Sequence, residues 1–385
     1  MNQLKIPEAN IHFSDGKNGS DLSISRNWME HIENQSKMPG AYDVLRCDLV
    51  KTRDSATPSF KVWGQDYHFN RLERSYKELV KHHLLDPIDD DEDANHVAVK
   101  LNEVKVAHEQ SDAILNSLLK KMMDHEESQI KEEAIGHDVI CEIIRVTILW
   151  TPQLSNPQDS SPQKSKIVVR GHASTSGQVM VPTAIPKMIT ATLALPNNVG
   201  SQSSSAIEEL PDRHVCPHAK ISSWSKQRRS LESKESFKPE GVEEVLLLDE
   251  IDDKERTKYE VLEGLTSNFF AIYKDGTIRT PADGVLLGYV RHLILESAEA
   301  CGLKVDERPI DLEDGEKGLW EETFITSSSR LIYPIEKILI PDYENTGEST
   351  VGLEWNTFWE LKKAETKDYK WYQLLSEILK SAGYE

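Results

Sequence analysis

Apolar side chains along this chain follow two periodicities, and each predicts its own kind of element. In DYHFNRLERSYKELVKHH (66–83), Leu72, Tyr76, Leu79 and Val80 recur at helical spacing. A longer helix is predicted over 103–133, with Ile114, Leu115, Leu118, Leu119 and Met122 on its apolar face and Met122 and Met123 as core filler. The β-branched run VICEIIRVTILW (139–150) predicts a buried strand. KIVVRG predicts a second strand after the polar loop SNPQDSSPQKS, and STSGQVMVPTAIPKM reads as a connector. Further on, EEVLLLDE predicts a core strand, and FFAIYKDGTIRT a hairpin turning at Asp275-Gly276. Residues 289–301 predict a helix with Val290, Leu293, Ile294, Ala298 and Cys301 on one face and Gly302 at its C-cap, and KVDERPI the next strand. WEETF with ITSSSRLIYPIEKILIP predicts helix, turn and strand. WNTFWELKKA and YKWYQLLSEILKSA predict two amphipathic helices, the first with Trp355, Phe358 and Trp359 at i, i+3, i+4.

Strands and helices are thus mixed, which gives an α/β (α+β) class. Strand signals stop, and Pro, Ser and Gly accumulate, between 172 and 190. A smaller N-terminal domain, 1–175, and a larger C-terminal one, 176–385, are expected. Residues 1–35 carry no firm signal, and PNNVGSQSSSA (196–206) reads as a low-complexity loop.

Composition narrows the function. The 385 residues carry a formal charge of −20, which disfavours polyanionic partners, so neither nucleic acid nor an anionic membrane is expected. No apolar run approaches the roughly 18–20 residues of a membrane span. The start, MNQLKIPEANIHFSDG, lacks the basic-then-apolar pattern of a signal peptide. Cys47, Cys141, Cys216 and Cys301 lie far apart and fit reduced thiols, so a cytoplasmic protein is expected.

Several chemistries lack their fingerprints. There is no G-x-G-x-x-G, no P-loop, no H-E-x-x-H and no G-x-S-x-G. The acidic run 86–95 would need Gly at 94 and Glu at 100 to be a calcium loop, and holds Ala94 and Lys100. His214, Cys216 and His218 in HVCPH have no second ligand motif, so no metal is expected.

Four segments remain: YHFNRLERS at 67–75, HAKISSWSKQRRSLE at 218–232, VLEGLTSNFF at 261–270 with TPADGVLLGYVR at 280–291, and EETFITSSSRLIYPI at 321–335. Together they resemble the fold-type IV pyridoxal-phosphate enzymes. This is the class IV aminotransferase family, with its branched-chain and D-amino-acid aminotransferases and aminodeoxychorismate lyase. The likeness covers about 67–340 and is nearest to the aminotransferase-like proteins of plants and fungi.

The resemblance implies a two-domain fold with pyridoxal 5'-phosphate at the domain junction, an amino-acid/keto-acid substrate pair and a homodimer. It also assigns roles. Lys220, 43 residues before Glu263, would carry the cofactor and move the proton at Cα, with Lys226 as its rival in the basic run KQRR. Glu263 would face the pyridine nitrogen and keep it protonated. Gly288, Tyr289 and Val290 would offer helix-start donors to the phosphate, joined by Ser328 and by Arg71 through a guanidinium fork. The sequence departs from the family at two points. Val290 stands where a threonine is usual, and Trp224 stands nearest to where a tyrosine follows the lysine. An aminotransferase is the first expectation. A lyase of the aminodeoxychorismate type and a catalytically impaired cofactor-binding or interaction protein are the alternatives.

Overall fold

The β-branched run at 139–150 forms the centre of a five-stranded sheet. Strands β1 (Asn10–Ser14), β2 (Ala41–Thr52), β3 (Ser59–Val62), β4 (Val139–Pro152) and β5 (Ile167–Met180) lie in the order β1-β5-β4-β2-β3, all antiparallel. The computed structural model describes residues 10–14, 40–52, 59–82, 101–127, 139–152, 167–180, 185–194, 216–233, 238–253, 256–341 and 354–384. The acidic run 86–95, the loop 196–206 and His214 lie outside these residues.

The sheet belongs to a first unit, Met1–Pro182 with Ala219–Ser225. Its helices are α1 (Gln65–Lys81) and α2 (Leu101–Glu127). Both arise where the periodicity places them, although 128–133 of the longer prediction is outside the described residues. Ile114, Leu115, Leu118, Leu119 and Met122 are buried in one cluster with Ile144, Val146 and Ile148 of β4. Each such side chain contributes about 1.5–3 kcal/mol of burial. Gly171 on β5 allows close approach, because a Cβ there would run into Ile114.

The second unit is Thr183–His218 with Lys226–Glu385. Its sheet comprises β6 (Ile189–Ala194), β7 (Glu244–Asp253), β8 (Arg256–Gly264), β9 (Asn268–Tyr273), β10 (Thr277–Arg279), β11 (Lys304–Asp306), β12 (Ile310–Asp311), β13 (Trp320–Ser327), β14 (Leu331–Pro341) and β15 (Trp355–Glu360). Six of them, β9-β13-β14-β6-β7-β8, form a closed ring, because Glu263 of β8 also pairs Asn268 of β9. A closed sheet leaves no open edge along that path. Helices α5 (Tyr289–Ser297), α6 (Leu312–Glu316) and α7 (Lys370–Ser381) belong to this unit, and two short helical turns, α3 (Ser222–Gln227) and α4 (Arg229–Ser233), precede them in the chain.

Most predicted elements form. Asp275-Gly276 turns a hairpin with Gly276 at φ 81°, and Gly302 ends the turn after α5 at φ 70°. Three predictions are corrected. STSGQVM is strand, not connector, because it continues the long β4 ladder as far as Cys141–Met180. WEETF is strand, not helix, since β13 is hydrogen-bonded to β9 on one side and β14 on the other. WNTFWE is strand β15, not helix. The spacing of Trp355 and Trp359 fits a period of two as well as one of 3.6, and pairing with β14, Ile338 opposite Trp359, decides it. Among the described residues no helix is long and apolar enough to cross a membrane.

Candidate functional site

In the first unit the candidate site grows from one face of α1. His68, Arg71 and Ser75, at i, i+3 and i+7, share a face, and all three are buried. Polar groups can be buried there only if each finds a partner. Asp43 on β2, fully buried, supplies two bonds to Arg71. Nε donates to Oδ2 at 2.8 Å and Nη2 to Oδ1 at 2.6 Å. His68 Nδ1 lies 3.2 Å from both Arg71 Nη2 and Asp43 Oδ1. Burial alone would raise the Asp43 carboxyl, but the guanidinium of Arg71 and the ring of His68 hold it far below the usual carboxylate range. Burial pushes His68 down, with Arg71 and Lys220 adding to that push against Asp43, which favours the neutral ring.

Lys220 is fixed beside this cluster. Its backbone N–H donates to Ser75 Oγ at 3.0 Å, and its carbonyl accepts from Tyr42 N–H at 2.9 Å. An antiparallel bridge joins Ile221 to Ala41, and Ser222 exchanges bonds with Gly40 at 2.8 and 2.9 Å. The ammonium sits 5.0 Å from the centroid of the Tyr42 ring, within cation–π range. Arg71 and Lys220, proposed from separate motifs, are thus neighbours through α1. The Lys226 side chain lies outside the described residues.

In the second unit Glu263 and Gly288 meet at the strand pair that closes the ring. Glu263 is 5% exposed, and its Oε2 accepts from Leu286 N–H at 3.0 Å and Asn268 Nδ2 at 3.1 Å. Asn268 Nδ2 also donates to the Leu286 carbonyl. The loop so held runs into Gly288, the N-cap of α5, whose backbone is extended at φ −77° and ψ 149° and carries no side-chain cap. A Cβ on Gly288 would fall on Asn268 Oδ1, so glycine is required for space rather than for backbone angle. Val290 is buried, and Tyr289 and Val290 form the first turn. Thr326 pairs with Asn268, and Ser328 follows two residues later in the turn between β13 and β14. His218 Nδ1–H donates to the Val285 carbonyl at 2.8 Å.

Two contributors escaped sequence reasoning. Asp43 sits in a strand whose polar positions carried no motif. Glu244 opens β7, and its carboxylate accepts from Val245 N–H and Leu265 N–H at 3.2 Å each, from Thr266 Oγ1 at 3.2 Å and from Ser267 Oγ at 2.9 Å. It thereby fixes the turn between Glu263 and Asn268. The signal that was available for the first cluster is the i, i+3, i+7 run of His68, Arg71 and Ser75, a polar stripe beside the apolar one.

The family model described as Amino-transferase class IV matches residues 41–338. Among solved structures, the chain resembles the branched-chain aminotransferase of Thermoproteus uzoniensis with norvaline, at 16% identity and TM-score 0.53 over 97% of this chain and 95% of that one. It also resembles the T.th. branched-chain amino acid aminotransferase complexed with N-(5'-phosphopyridoxyl)-L-glutamate, at 14% identity and TM-score 0.51 over 97% and 94%. A third likeness is to the PLP form of the enzyme from Thermobaculum terrenum, at 14% identity and TM-score 0.50 over 90% and 86%. No curated protein sequence matches the chain. At these identities the structures establish a shared fold, fold-type IV, and the family match spans most of the chain. This chain belongs to the class IV aminotransferase family.

Proposed function

We propose that the protein is a pyridoxal-phosphate-dependent aminotransferase that exchanges an amino group between an amino acid and a keto acid. The observation that carries this is Glu263: a carboxylate buried near the end of β8, oriented by two directed donors, one of them in the loop that leads into α5. When bound, the cofactor supplies an electron sink for carbanion character at the substrate Cα.

The chain's own groups have separable tasks. Lys220 provides a primary amine for covalent attachment and then accepts and returns the Cα proton. Its backbone is pinned on both sides, so the amine is swung by side-chain torsions alone. Glu263 holds a proton on the ring nitrogen, and Asn268 keeps its carboxylate from rotating. The N–H groups at the start of α5 and the hydroxyl of Ser328 are proposed for the phosphate. Backbone donors suffice there at Val290, whose side chain has no hydroxyl. The donor set therefore suits the ring and the amine. It departs at the guanidinium, where Arg71 is already bonded to Asp43.

That departure, together with Trp224 in place of a tyrosine, favours one second reading: a family member that binds cofactor with impaired catalysis. Homodimer assembly and a cytosolic location complete the proposal.

The test is covalent trapping. Purified protein mixed with pyridoxal phosphate should become yellow, and borohydride should fix the cofactor on Lys220. Lys220→Ala should lose the adduct entirely and Lys226→Ala should keep it. An adduct on Lys226 would move the catalytic assignment, and no adduct on any lysine would remove the enzyme reading. A mass by light scattering equal to one chain of 43.7 kDa would remove the dimer.

A further inference from the structure

We propose that Asp43 is the resident anion of Arg71, so that a cofactor phosphate is recognised without this guanidinium. The inference rests on the pyridoxal-phosphate reading above, and it concerns which of the chain's groups provide phosphate selectivity.

A guanidinium grips a carboxylate or phosphate through paired N–H groups along one edge. In Arg71 the Nε–Nη2 edge is taken by the two oxygens of Asp43, at 2.8 and 2.6 Å. Both partners are deeply buried, with Arg71 at 3% and Asp43 at 0% exposure. For that edge to turn to a phosphate, Asp43 would lose both bonds and stay behind as a buried, uncompensated charge. A dianion entering beside it would add like-charge repulsion at short range.

The neighbouring groups reinforce the lock. His68 Nδ1 lies 3.2 Å from both Arg71 Nη2 and Asp43 Oδ1, so it donates to the carboxylate in one tautomer and accepts from the guanidinium in the other. Tyr67 covers the guanidinium, with its ring centroid 5.7 Å from Cζ. Tyr42 and Lys220 also face the cluster and act on its charges. The pair is formally neutral, so the positive field expected of a phosphate arginine is cancelled at its source. Its role is then to fix α1 against β2, and through Ser75 to fix the backbone of Lys220.

The experiment compares affinities of the full chain for pyridoxal phosphate and for pyridoxal, which lacks the phosphate. Wild type is set against the double variant Asp43→Asn/Arg71→Gln, which removes both charges while keeping amide hydrogen bonds. If Asp43 is the anion of Arg71, the preference for the phosphorylated form should stay within about threefold of wild type. If Arg71 binds the phosphate, losing a charge-assisted bond should cut that preference about ten- to hundredfold, which would overturn the proposal. A wild type that binds neither compound defeats the cofactor reading instead. The ligand-free melting temperatures of Asp43→Asn, Arg71→Gln and the double variant still decide the pairing. A double variant that melts above either single variant supports it, and additive losses overturn it.

Discussion

The two units each bury a carboxylate beside a proposed site residue, and they neutralise it by opposite means. Asp43, in the first unit, faces a guanidinium and an imidazole. Glu244, in the second, is held mainly by neutral donors: two backbone N–H groups and two hydroxyls. Burial raises both acids. At Asp43 the charges of Arg71 and His68 and the hydrogen bonds they make together overcome it, and the carboxyl falls well below its ordinary value. At Glu244 burial wins over Arg330 and the hydrogen bonds, and the carboxyl rises. A contacting guanidinium and imidazole, with the hydrogen bonds they make, together outweigh desolvation, whereas four neutral bonds with a more distant guanidinium do not. The first unit thus has a rigid ionic lock, and the second has a turn held by bonds that are individually exchangeable.

The sharpest way to break this comparison is to leave Arg71 without its anion. Asp43→Ala should destabilise the protein by about 3–5 kcal/mol, because a buried guanidinium loses its partner. Denaturant unfolding measures it directly. A loss below about 1 kcal/mol would mean that water or another group readily replaces the carboxylate, and the lock would not exist.

A smaller effect is expected where the second unit has no space. Gly288→Ala keeps an allowed backbone, since φ is −77°, but its Cβ meets Asn268 Oδ1. Asn268 must shift, and it is one of the two donors that orient Glu263. We expect about 1–3 kcal/mol of lost stability from overpacking. Binding of pyridoxal phosphate should weaken with it, whereas Gly276→Ala, which costs stability through its φ of 81° but whose Cβ would meet nothing, should leave binding alone. Equal binding by both variants would separate the Gly288–Asn268 contact from the site.

How much of this was legible beforehand follows from how local each feature is. The faces of α1 and α2 were readable because i to i+4 neighbours lie within one element. Glu263 and Gly288 were readable through motifs of contiguous residues. β15 was misread because one spacing serves two periods, and only its partner β14 chooses between them. Asp43 was invisible for a related reason. It lies 28 residues from Arg71, and a lone acid in a strand says nothing until a helix packs its guanidinium against it. Glu244 is 23 residues from the Ser267 hydroxyl it holds, so its role also belongs to the tertiary fold.

The smallest predicted effect is a pH slope, and it tests the contrast itself. Asp43 has a lowered folded value, so its stabilisation is present above the unfolded value and is lost as pH falls through the folded one. Glu244 has a raised folded value. The folded protein therefore binds the Glu244 proton more tightly than the unfolded chain. Its contribution to stability is greatest in acid and falls as pH rises from about 4 through the raised value. Glu244→Gln removes that titration while keeping an acceptor oxygen and offering N–H groups to the hydroxyls of Thr266 and Ser267. Stability of wild type and variant should be measured by urea unfolding from mildly acidic to neutral pH. The variant should lose ground to wild type in acid and regain it toward neutrality. Parallel profiles would mean that Glu244 titrates alike in the folded and unfolded chain, and that neutral donors with Arg330 compensate a buried charge as fully as Arg71 compensates Asp43.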